Sequence, residues 1–215
     1  MRDLALRLMA MRCLDGVELV HRDTYPDIKS PYYGASGPDW FSYRSARYKQ
    51  EIVRNAVDLE DPLVVRFLNA TDDDKRIAFL MRFGLPGDII QVASAEPRNF
   101  IIGEQKVLRA LLDRAGSGDA AEANKAANKS LRRIRDRLSL EPGGRMVWTT
   151  ENLISFMYME IVIAAQNGAR LGSCQRCGDL FLTGTLTKRR STAKYCRDFC
   201  RVGAHRANKL KLKAG

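Results

Sequence analysis

The chain has no run of the roughly 20 apolar residues that a membrane-spanning helix requires. Its most apolar stretch, Leu153 to Ala165, is shorter than that and carries Glu160, so it reads as a buried helix. The N-terminus lacks the features of a secretory leader: Asp3, Arg7 and Arg12 interrupt its apolar residues, and no small-residue cleavage site follows. A Gly-rich phosphate loop, an HExxH pair and a GxSxG elbow are all missing. These absences make a cytoplasmic protein with no membrane partner and no enzymatic activity the expectation.

Cysteine is scarce outside one place. Cys13 stands alone, whereas Cys174, Cys177, Cys196 and Cys200 crowd together near the C-terminus. An oxidised secreted domain would more often spread an even set of thiols across its fold. One lone thiol beside one tight cluster instead predicts metal binding in a reducing compartment. Acidic residues are scarce in the same region: Leu171 to Gly215 holds eleven Lys/Arg but only Asp179 and Asp198. Of the net +11, the tail therefore carries +9 and the preceding 170 residues only +2. Four thiolates around one Zn²⁺ would lower the tail to about +7, still a field that gathers polyanions.

The rest of the chain has an ordinary globular balance, 45% hydrophobic and 28% charged, which is enough for a real core. Residues 4–14 have helical spacing, with Leu4, Leu8, Met11 and Leu14 near one face. VELVH (17–21) predicts a short strand, with His21 at its end and no ligand partner matched to it. From Arg22 to Tyr48 turn formers and aromatics predict irregular structure over the core, a helix resuming near Ser45 and running to Val57. DPLVVRFLN predicts a helix capped by Asp61 with Pro62 at its first position. TDDDKRIAFLMRFG predicts another, capped by Thr71 or Asp72 and stopping at Gly84. Capping therefore accounts for Asp61 and Asp72 to Asp74, and with Glu60 they are not read as an acidic catalytic cluster.

Phe100 to Arg114 predicts an amphipathic helix, followed by a Gly-Ser turn and an Ala-rich, charged helix that ends at Pro142-Gly143-Gly144. RMVWTT (145–150) predicts a strand, and Thr150 a cap for the buried helix that stops around Gly168. The expected fold class is mainly α. A helical domain over 1–170, with a few short strands and a possible sensing or oligomerising role, precedes a zinc finger over 171–215. The aromatics from Tyr25 to Tyr48, with Trp40 and Trp148, read first as packing and second as the lining of a small-molecule pocket. Cys13 reads as a small buried hydrophobe on a helix.

The thiol cluster has ligand spacing. Cys174-Gln-Arg-Cys177 is a CxxC knuckle, and Gly178 directly after it permits a turn with positive φ. Leu180-Phe181-Leu182 then predicts a hairpin strand, and Cys196 with Cys200 projects from one side of a helix start. Knuckle, hairpin and helix together describe a treble-clef-like finger. Four thiolates fill a zinc tetrahedron and leave no open position, so the single Zn²⁺ is expected to be structural; His205 is not needed as a ligand. Candidate nucleic-acid contacts are the basic loop Lys188, Arg189 and Arg190 and two groups on the following helix. Arg206, Lys209 and Lys213 form one, and Arg197 and Arg201, with Lys211, the other. Nucleic acid, DNA first, is the expected partner. The alternative is an adaptor whose finger contacts an acidic protein or RNA.

The stretch from about Trp148 through Asn208 resembles the CGNR-type zinc-finger proteins of bacteria, which have a helical, ABATE-like N-terminal domain. The resemblance is carried by VWTTENLISFMYMEIVIAAQNG, the Cys174/Cys177 knuckle with Asp179-Leu180-Phe181, and Tyr195-Cys196 and Cys200 with trailing basic residues. DPLVVRFLNATDDDKRIAFLMRFGLPG is loosely similar to a short-helix pair of the same group. The resemblance implies a stress-linked transcriptional regulator that binds DNA. One departure is visible: the Cys-Gly-Asn-Arg signature would begin at Cys200, but Arg201, Val202 and Gly203 follow instead.

Overall fold

The computed structural model describes residues 4–21, 39–45, 47–56, 59–86, 95–116, 121, 124–125, 128, 137–140 and 145–214. Among them nine strands in three sheets stand beside five α-helices. This corrects the mainly α expectation to a mixed α/β fold. The largest part of the error lies at the N-terminus. Leu4–Cys13 is a ten-residue strand, β1, not a helix. The Leu4–Leu8 spacing satisfies a four-residue repeat and a two-residue repeat alike; Leu6, Leu8 and Ala10, all buried while Arg7 and Met9 are half-exposed, settle it in favour of a strand.

β1 lies inside a four-stranded sheet of order β4-β1-β7-β6. It runs antiparallel to β4 (Tyr48–Ala56) and parallel to β7 (Met146–Thr150). β4 replaces the helix expected from Ser45. Its Lys49, Glu51 and Arg54 suit the solvated edge strand that it forms. β6 (Arg137–Leu140) covers the other edge, where the Ala-rich helix was expected to continue. Residues 121, 124–125 and 128 of that segment are helical, and the rest of it lies outside the described residues.

A second sheet, all antiparallel, has the order β2-β3-β5 and uses Val17–His21, Asp39–Tyr43 and Ala95–Pro97. Trp40 and Phe41 are therefore buried strand residues and not loop aromatics. The aromatics within 22–38 lie outside the described residues. Cys13, expected on a helix, is buried at the end of β1 beside Ser45.

The helices are α1 (Leu63–Asn69), α2 (Asp73–Phe83), α3 (Arg98–Gly116), α4 (Leu153–Gln166) and α5 (Asp198–Ala214). α2 starts and stops where the sequence predicts: Asp72 accepts the Lys75 N–H at 2.9 Å, and Gly84 ends it at φ +84°. α4 is capped by Asn152, which accepts the Ser155 N–H at 3.0 Å. Thr150 acts one step earlier, accepting the N–H of Asn152. α4 is apolar nearly all round because it packs against α3, α1 and β1 at once. Phe156, Met157 and Ile161 are fully or almost fully buried there with Leu8, Phe67, Ile101, Leu108 and Leu112. Each such side chain contributes about 1.5–3 kcal/mol on burial.

α1 is too short to stand alone, and neighbouring elements hold both of its ends. Its N-cap is Pro62, which has no side-chain acceptor, and Asp61 pairs with Arg66 at 2.8 Å instead of capping. The free N–H groups of Leu63 and Val64 donate to the two carboxylate oxygens of Glu160, reaching in from α4, at 2.9 and 2.8 Å. At the other end Gln105 of α3 donates to the carbonyls of Phe67 and Ala70. Both helix termini thus find the partners that a buried backbone requires.

Candidate metal centre and the basic groove beside it

The four clustered cysteines come from two local structures. β8 (Arg170–Ser173) and β9 (Leu180–Thr183) form a hairpin whose connection is the Cys174–Cys177 knuckle. The Gly178 N–H donates to the Cys174 carbonyl at 2.9 Å, and Gly178 has φ +79°, the backbone conformation that its position after CxxC predicts. Cys196 lies just before α5 and Cys200 in its first turn. The Gln175 N–H donates to the Lys194 carbonyl at 3.0 Å, tying the knuckle to the segment that precedes the helix.

All four Sγ atoms lie within 4.8 Å of one another. Cys177, Cys196 and Cys200 form a nearly equilateral triangle with Sγ···Sγ distances of 3.6, 3.6 and 3.7 Å. These separations are far longer than the roughly 2.05 Å of a disulfide, and all five cysteines are free thiols. Cys174, Cys196 and Cys200 are buried around Phe181, while Cys177 is exposed. Burial opposes ionisation of Cys174, yet backbone donors at Cys177, Cys196 and Arg176 bring its pKa down to about 6. Burial, with Cys200 and Cys174 and against the pull of Cys177, pushes Cys196 up. Sulfur atoms converging in this way can hold a metal ion. His205 is exposed on α5, away from this group.

The hairpin is joined to the rest of the protein. Leu182 and Ala169 belong to the main core. The Asn69 side chain, at the end of α1, donates to the Leu180 carbonyl and accepts the Leu180 N–H at 3.0 and 2.7 Å. It behaves there as an extra strand residue.

A groove of about 760 Å³ opens between the segment 187–195 and the start of α5. It gathers Lys188, Arg189, Arg190, Arg197 and Arg201 from the sequence-predicted basic residues, and adds Lys194, which sequence reasoning did not select. Lys194 stands in the same loop as the selected residues, and only its place one residue from Tyr195-Cys196 marks it out. Two of the predicted residues have a tethering role. Lys188 reaches Glu60 at 2.5 Å, and Arg189 donates to the Glu60 carbonyl at 2.6 Å and the Cys196 carbonyl at 3.0 Å. Arg201 pairs with Asp198 one turn back at 3.0 Å. Arg197 is held more strongly in its charged form by Cys200 and Cys196. Arg206 and Lys209 are exposed farther along α5 and do not line the groove; the side chain of Lys213 lies outside the described residues. Sequence reasoning also passed over Arg176 and Phe199: the Arg176 guanidinium stacks over the Phe199 ring at 4.6 Å from its centroid.

No helix among the described residues is long and apolar enough to cross a membrane. Comparison with protein-family models and with curated proteins finds no match for this chain.

Proposed function

We propose that the protein is a DNA-binding regulator in which one structural Zn²⁺ fixes a basic helix and loop against nucleic acid. Zinc suits the thiol set: a Zn–S bond of about 2.3 Å implies a tetrahedron edge near 3.8 Å. The three short Sγ separations of 3.6 to 3.7 Å approach that edge. Four thiolates complete the coordination sphere, so the ion braces the finger and performs no chemistry of its own. Thiols held for metal rather than oxidised suit the cytoplasm, and membership of the CGNR-type group is part of the same proposal.

One observation carries the reading: the thiol cluster and the basic groove meet at the same end of α5. Six Lys/Arg line that groove against only Glu60 and Asp198. The helix N-terminus adds partial positive charge there, favouring phosphate. The test is a mobility-shift titration of the zinc-loaded protein on mixed genomic fragments at two salt concentrations. Affinity should fall steeply with salt, and Arg190→Ala or Lys194→Ala should each reduce the slope by about one. No shift at low salt with zinc bound would refute the proposal.

A further inference from the structure

α5 carries a second surface that the groove leaves unused. At 100° per residue, Phe199, Val202, Arg206 and Lys209 fall on one side of the helix, and Arg201 on another. Phe199 is 71% exposed and Val202 41% exposed. An exposed residue taken singly is ordinary; what sets Phe199 apart is that its exposed ring carries a fixed cation and lies on the same side of the helix as two further basic residues.

Phe199 is also held in place. Arg176, inside the CxxC knuckle, lies across α5, stacks on the ring and donates to the Phe199 carbonyl at 2.7 Å. Gly203 provides the room: a Cβ there would meet the Arg176 guanidinium at 2.0 Å. The ring is thus held by a cation on one side and is largely open to solvent. Arg206 and Lys209 follow about 10 and 15 Å along the helix axis in the same direction, suitable for phosphates of the nucleotides that continue the strand to one side of a bound base.

We infer that Phe199, backed by Arg176, is a stacking platform for an unpaired base of a single-stranded nucleic acid whose phosphates meet Arg206 and Lys209. This rests on the nucleic-acid reading above and specifies the form of the polymer. In a duplex both faces of each base are covered by neighbours, and exposing one requires unstacking; an unpaired base presents a free face. The basic side chains beside the ring favour a polyanion over an apolar partner.

The test measures fluorescence anisotropy with an oligo(dT) single strand and with a mixed-sequence duplex of equal length. Zinc content serves as the folding control. Phe199→Ala should weaken single-strand binding about tenfold, within the range for loss of one stacked base. It should leave duplex affinity and the salt slope unchanged, because no charge is removed. Phe199→Trp should retain single-strand affinity and show quenched fluorescence on binding. Unchanged single-strand affinity in Phe199→Ala, or an equal loss on the duplex, overturns this inference while the groove reading stands. Failure of the wild-type chain to bind either probe overturns both.

Discussion

Replacing Glu160 by glutamine keeps the shape of a fully buried side chain and removes its charge. In the wild-type protein burial pushes the Glu160 pKa up to about 7 from an ordinary 4.5, against the pull of the Leu63 and Val64 N–H donors. The folded state therefore holds a proton that the unfolded chain has already lost between those two values. Stability contributed by this group falls as pH rises through that window and levels off above the folded pKa. At about 1.36 kcal/mol per unit, with both states titrating, the change between about pH 5.5 and about pH 7.5 comes to roughly 2 kcal/mol. Glutamine cannot ionise, so Glu160→Gln should gain about 2 kcal/mol relative to wild type across that interval. Urea denaturation of both proteins at several pH values measures the difference. Glu96, raised to about 8 by burial and then by Glu104, acts in the same direction in both proteins and cancels. Parallel stability curves for the two proteins would refute the argument. They would mean that the two N–H donors offset the burial of the carboxylate.

Three further outcomes follow from the geometry. Cys200→Ser should reduce zinc from about one per chain to little or none by atomic emission. The helical circular dichroism of α5 should fall with it, since the thiol cluster fixes the first turn of that helix and most helical stability comes from tertiary packing. Asn69→Ala removes both side-chain bonds to Leu180 and should cost about 1–3 kcal/mol, with faster amide exchange over residues 170–183; exchange at the wild-type rate would contradict the docking role. Gly203→Ala should change the melting temperature little, because a helix-propensity gain of about 1 kcal/mol offsets the lost Arg176 contacts. A loss of about 2 kcal/mol or more would show that Arg176 cannot move aside.

The clustering of the four thiols was legible in the sequence because its constraints are local. CxxC followed by Gly178 specifies a knuckle, and the four-residue interval from Cys196 to Cys200 places two thiols on one side of a helix start. The same holds for α2, whose cap at Asp72 and stop at Gly84 lie within the segment itself. Asp61 shows the limit, since a good capping residue in the expected place pairs with Arg66 while Glu160, nearly a hundred positions later, holds the N–H groups. The fold class failed for the same physical reason. β1 and β4 become strands because each supplies the other's ladder partners, and neither stretch carries that information alone. The basic character of the tail was legible too, since charge can be counted from composition. Only the tertiary structure separated its members: Lys188 and Arg189 turn to Glu60, Lys194 joins the groove, and Arg176 crosses to Phe199. Those assignments depend on which backbone atoms and side chains come within about 3 Å after folding, a distance that spacing along the chain does not encode.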